Sequence, residues 1–96
     1  REYALINDWQ SSITFEHCRM RAYSSVKVTA SNPGAPVKLG IVCQESGKQI
    51  AEVEIPSTAS LTEFVTVTAP AEKLDGTFSL RFTVSGMLSL RSFSFS

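Results

Sequence analysis

Apolar and polar residues alternate with a period of two along almost the whole chain, in segments as long as ordinary strands. Ile13 and Phe15 open the first clear set, followed by Val26, Val28 and Ala30, then Val37, Leu39, Ile41 and Cys43. Ile50 or Ala51 leads through Val53 to Ile55, with the phase at the start left open between the two. Val65 and Val67 follow, then Phe78, Leu80, Phe82 and Val84, and finally Leu88, Leu90, Phe93 and Phe95. Successive side chains of a strand point to opposite faces, so each set lines one buried face. Between Leu90 and Phe93 the phase slips by one, which predicts a bulge.

Turn-forming residues separate the sets at Asn32-Pro33-Gly34, Glu45-Ser46-Gly47-Lys48, Pro56-Ser57-Thr58, Ala69-Pro70, Asp75-Gly76 and Ser85-Gly86. Seven short strands are expected, with no helix of useful length: an all-β sandwich or barrel. Lys27, Lys38, Glu52, Glu54 and Arg81 should point outward, and Val28, Leu39, Val53 and Leu80 inward. Fourteen serines and eight threonines fall mostly at the outward positions, as at Thr62, Thr66 and Thr68, where hydroxyls suit an exposed pleated face.

Ninety-six residues make one domain, and 43% hydrophobic against 19% charged residues is enough to bury a core. Nine basic and nine acidic residues cancel to a net charge of zero, which gives no electrostatic footprint for nucleic acid or an anionic membrane. An uncharged partner fits better. The longest apolar run, Leu39 to Cys43, is far short of the roughly 20 residues of a spanning helix. The sequence opens on Arg1-Glu2 without a leader of signal type, as a mature chain or one cut from something longer would. Cys18 and Cys43 either pair in one disulfide or sit as reduced thiols in the core.

Candidate chemistry is sparse. His17 and Cys18 are neighbours, but on a strand they face opposite ways and offer no joint metal or nucleophile site. Glu52 and Glu54 share one face, the solvated one, without a facing carboxylate across a cleft. The glycines fall one per turn except Gly40, which interrupts a strand and marks a bulge or a close backbone approach. An enzyme therefore has little to stand on. The six phenylalanines follow the apolar phase and read as core, whereas Tyr3, Trp9 and Tyr23 lie before or between the strand patterns. In Asn7-Asp8-Trp9-Gln10 an indole sits beside an amide and a carboxylate, the combination that holds a sugar: the ring face stacks and planar polar groups bond hydroxyls. The competing role for Trp9 is to cover the end of a sandwich.

From Leu5 onward the order of features resembles the family 6 carbohydrate-binding modules, non-catalytic β-sandwich domains appended to polysaccharide-degrading enzymes. The resemblance rests on Ile6-Asn7-Asp8-Trp9, on Ile13-Thr14-Phe15 followed by Cys18 and Met20, and on Ser25-Val26-Lys27-Val28. It continues through Gly47 to the Pro56-Ser57-Thr58 stop, Phe64 to Thr68, Asp75-Gly76-Thr77-Phe78-Ser79-Leu80-Arg81-Phe82, and Phe93-Ser94-Phe95. The implied fold is a jelly-roll-like sandwich of two antiparallel sheets. The implied function is binding of a neutral polysaccharide or oligosaccharide beside the catalytic domain of a parent glycoside hydrolase, outside the cell or in the periplasm. Trp9 would stack on a pyranose, Asn7 and Asp8 would bond hydroxyls, and Tyr23 would be a second aromatic. Cys18 and Cys43 take positions that are apolar core in the family, which implies two buried thiols.

Two departures stand out. Where the family has a polar residue and a Trp before its last strand, this chain has Arg91-Ser92, so one wall of the implied site is missing. The family opens with an acidic N-terminal strand that supports a structural calcium; this chain either begins after that strand or lacks it, so the resemblance lends calcium no support and no cofactor is expected. The alternative to sugar binding is a structural module that packs on a catalytic domain, and the exposed strand face around Lys38, Gly40 and Val42 is the fallback binding site.

Overall fold

The computed structural model describes residues 2–60 and 62–96, and the side chains of 12–60, 62–84 and 88–96. Among them are six strands: β1 (Glu2–Arg21), β2 (Ser25–Ser31), β3 (Val37–Cys43), β4 (Lys48–Ile55), β5 (Val65–Pro70) and β6 (Asp75–Phe95). All pairings are antiparallel. β6 lies at the centre. Its first half pairs with β3, from Leu39↔Val84 to Cys43↔Leu80, and its second half pairs with β2, from Ser31↔Ser89 to Val26↔Phe95. β1 follows the opposite edge of β6 along its whole length. The result is two sheets, β4-β3-β6-β1 and β5-β2-β6-β1, which share the long β1/β6 ribbon.

The seven expected strands thus become six. The phase of Phe78 to Val84 and that of Leu88 to Phe95 belong to one strand, and Ser85-Gly86 is not a turn. Gln10 pairs with Met87 and Ser11 with Val84, which leaves Ser85 and Gly86 unopposed where β6 passes from one sheet to the other. The punctuation in the sequence marked a real break, but in sheet membership rather than in the strand. Ala69-Pro70 closes β5 and Asp75-Gly76 opens β6, so both lie within strands. Tyr3 and Trp9, expected ahead of the first strand, are inside β1, paired with Phe93 and Leu88.

Burial follows the alternation. Lys27, Lys38, Glu52, Glu54 and Arg81 are exposed, and Val28, Leu39, Val53 and Leu80 are fully buried. The bulge expected near Leu90 is present: Thr29 pairs with Ser92 and Ala30 with Leu90, so Arg91 has no opposite residue on β2. Two further bulges explain phases that the pattern left unsettled. Ile41↔Ala51 and Val42↔Gln49 leave Ile50 extra on β4, which turns both Ile50 and Ala51 inward. On β1, Glu16 and His17 face the single residue Ser79, between Phe15↔Leu80 and Cys18↔Phe78. His17 takes the left-handed conformation there, with φ of 58°, and the inward phase moves from Phe15 to Cys18.

Between the sheets the core is filled by aliphatic residues around Phe15, Phe82 and Phe93, whose ring centroids lie 4.6 to 5.2 Å apart in tilted and edge-on arrangements. Cys18 and Cys43 are buried thiols, as the resemblance implied, with their sulfurs directed to the Phe15 carbonyl and the Glu45 carboxylate. One side of the sandwich is closed by the Ala51↔Ala71 bridge and by the Glu72 amide donating to the Ile50 carbonyl.

Candidate functional site

The loops fall at two ends of the sandwich. One end carries the β2–β3 loop, the β4–β5 loop and the corner where β1 and β6 change sheets. Asn32, almost fully buried, ties the two loops together. Its Nδ2 donates to the Ala35 carbonyl at 2.8 Å and the Ile55 carbonyl at 3.4 Å, and its Oδ1 accepts from the Gly34 amide. Its own amide donates to Thr58 Oγ1 at 2.9 Å. Two proline-containing loops are thereby held in a single arrangement, the rigid support that a binding end needs.

The segment Asn7-Asp8-Trp9 runs along this end, with Asn7 opposite Leu90, Asp8 opposite Ser89 and Trp9 opposite Leu88. The side chains of these three residues lie outside the described ones. Tyr23 is at the other end of the molecule. It sits between β1 and β2, half-buried, its ring stacked on Phe95 at 6.1 Å. Phe95 pairs with Val26, and the seven steps along β6 from Phe95 back to Leu88 span roughly 23 Å at ~3.3 Å per residue. One sugar ring does not reach both Trp9 and Tyr23.

Phe64, expected in the core, is a half-buried residue ahead of β5 that does not join the core cluster. The Arg91 guanidinium lies over its ring, 5.1 Å from the centroid. Arg91-Ser92, which in the sequence looked only like a missing wall, therefore makes a contact of its own with the residue ahead of β5. The Arg91 bulge was legible from the phase slip, but the partnership with Phe64 joins distant residues and leaves no local signal.

The second candidate is on the outer face of the β4-β3-β6-β1 sheet, around Gly40. A pocket of about 300 Å³ is lined by Lys38, Gly40, Gln49, Glu52, Thr83 and Val84. Gly40 pairs with Glu52 on one side and Thr83 on the other, and its φ is not in the left-handed region. What the position requires is space: a Cβ there would come within 2.8 Å of Gln49 Oε1 and 3.1 Å of Thr83 Oγ1. The glycine lets an amide and a hydroxyl converge over bare backbone, between an ammonium and a carboxylate. These are hydrogen-bonding groups suited to a polyol, without an aromatic platform. Glu52 and Glu54 stay on this solvated face. His17 is exposed, and among the described residues no three His, Cys, Asp or Glu side chains gather as a metal site would need.

No protein-family model and no curated protein matches the chain. Solved structures do. A family 6 carbohydrate-binding module from Clostridium stercorarium in complex with cellobiose superposes with a TM-score of 0.81 at 16% identity, over 100% of this chain and 86% of that one. A β-1,3-glucan-binding family 6 module from Bacillus halodurans superposes with a TM-score of 0.76 at 21% identity, covering 98% and 75%. In the family 43 arabinoxylan arabinofuranohydrolase from Bacillus subtilis, solved with cellotetraose, 93% of this chain matches 20% of the enzyme, with a TM-score of 0.81 at 15% identity. Two antiparallel sheets sharing a folded ribbon, with loops gathered at the corner where it changes sheets, form the β-sandwich of the family 6 carbohydrate-binding modules.

Proposed function

We propose that this chain is a non-catalytic carbohydrate-binding module that brings an appended glycoside hydrolase to a neutral polysaccharide. The observation that carries the reading is the Gly40 pocket, where a mid-strand glycine keeps open a space ringed by hydrogen-bonding side chains on a rigid sheet. Support comes from neighbours solved with cellobiose and cellotetraose, one of them a hydrolase of which this fold is one fifth. The working compartment in this reading is extracellular or periplasmic, and burial shields Cys18 and Cys43 from its oxidants.

Calorimetric titration with cello-, xylo- and laminari-oligosaccharides tests the proposal. Gly40→Val fills the face pocket and Trp9→Ala removes the only indole, so the variant that abolishes binding identifies the site. Stacking at Trp9 would also change its fluorescence, and loss of that ring should cost on the order of 1 kcal/mol or more. Salt should matter little for an uncharged ligand. Absence of heat and of any fluorescence response across the panel would leave the structural module, which Arg91-Ser92 in place of the family's polar-Trp pair supports.

A further inference from the structure

We infer that the Arg91–Phe64 stack reads a carboxylate, the uronic-acid branch of an otherwise neutral polysaccharide. The inference rests on the saccharide-binding reading above and names the unit recognised at the loop end. Arg91 is the extra residue of β6 where it pairs with β2, and a bulge re-aims the side chain it carries. The guanidinium lies 5.1 Å from the Phe64 centroid, and the half-buried ring contributes nothing to the core cluster. The ring holds the guanidinium without using any of its N–H groups in an ion pair among the described residues, and such a fork meets a carboxylate with two parallel hydrogen bonds. Arg91 is exposed, and the ion pairs among the described residues are made by other groups, Arg19 with Asp75 and Lys48 with Glu72.

The surroundings fit a branched sugar. Ser92 pairs with Thr29, and Thr29 Oγ1 and Thr66 Oγ1 lie 2.9 Å apart, so a row of hydroxyls continues from the guanidinium across the sheet. With zero net charge the chain exerts no general pull on polyanions, so discrimination comes from one guanidinium at one place. A neutral chain bearing an occasional hexuronate carries the matching charge.

The test is affinity electrophoresis of the full chain in gels cast with glucuronoxylan or with the same polymer after its carboxyl groups are reduced to hydroxymethyl. The native polymer should bind roughly three- to tenfold more tightly at low salt, the range of an exposed charged hydrogen bond, and its advantage should shrink as salt rises. Arg91→Gln should abolish the advantage, and Arg91→Lys, which keeps the charge but not the fork, should lose most of it. Arg21→Gln, which removes a positive charge at the opposite end, should keep it. Equal binding of both polymers, or an advantage that survives in Arg91→Gln, overturns the inference and leaves the saccharide reading standing. Failure of both polymers to retard the chain overturns the inference and the saccharide reading together.

Discussion

Gly47 and Ala22 share the left-handed conformation, with φ of 71° and 55°, yet only one of them is a glycine. A side chain in that conformation costs about 1–2 kcal/mol, while a glycine adds about 0.4–1 kcal/mol of unfolded-state entropy to be lost. The same arithmetic therefore predicts opposite signs. Gly47→Ala, whose Cβ would meet nothing within 4 Å, should destabilise by about 0.5–1 kcal/mol through the backbone alone. Ala22→Gly should stabilise by about 0.5 kcal/mol, and urea denaturation of the two variants measures both. Gly40 behaves differently because its constraint is crowding: Gly40→Ala pushes aside the ends of Gln49 and Thr83, at a cost below about 1 kcal/mol. Its larger effect should fall on saccharide affinity, which separates a site from a scaffold.

Among the elements, the loops and the ladder ends are held by polar side chains in ways the alternation does not reveal. Glu45 accepts from the Ser79 amide with both carboxylate oxygens, at 3.0 and 3.1 Å, which carries the β3–β6 ladder one step beyond Cys43↔Leu80. Glu45→Ala should cost about 1 kcal/mol, since the bond is charged but exposed. Asn32→Ala leaves the Ala35 and Ile55 carbonyls without this donor but keeps the two backbone bonds to Thr58, so a loss of about 1–3 kcal/mol is expected in the same denaturation experiment. Strand positions and faces were readable because a buried face enforces period two, as Val26-Lys27-Val28 and Val53-Glu54-Ile55 show. Strand ends were not, because Ser85-Gly86 and Asp75-Gly76 carry turn chemistry that tertiary pairing overrides. The Ile50 or Ala51 ambiguity was itself a signal, a bulge that buries both. Of the candidate site, Gly40 was marked by its break in the pattern, and Trp9 and Asn7 by their neighbours. Phe64 shares the outward phase of Thr62, Thr66 and Thr68, so its place off the core was in the alternation although its apolar nature read as core; its partner Arg91, 27 positions away, was not legible.

On the scale of the whole molecule, stability comes from one core held without covalent staples. Thiol titration in denaturant without reductant should find both cysteines reactive, and dithiothreitol should leave the melting temperature unchanged. A shift on reduction would mean the sulfurs are bonded after all. The placement of β6 has a consequence for how the chain acquires this structure. The central strand of both sheets is the last of the six in chain order, and its neighbour β1 is the first of them. While residues up to Leu74 emerge from the ribosome, only the β3–β4 hairpin and the β2–β5 pair have their partners, and each exposes one apolar face. Loop closure over nearly the whole chain precedes any complete core, so folding is expected in the slow range of non-local β-proteins, roughly milliseconds to seconds. The 21 residues of β6 act as a late commitment step for this domain. A nascent chain halted before Asp75 is a protease-sensitive collection of edges, and release of β6 turns it into a domain all at once.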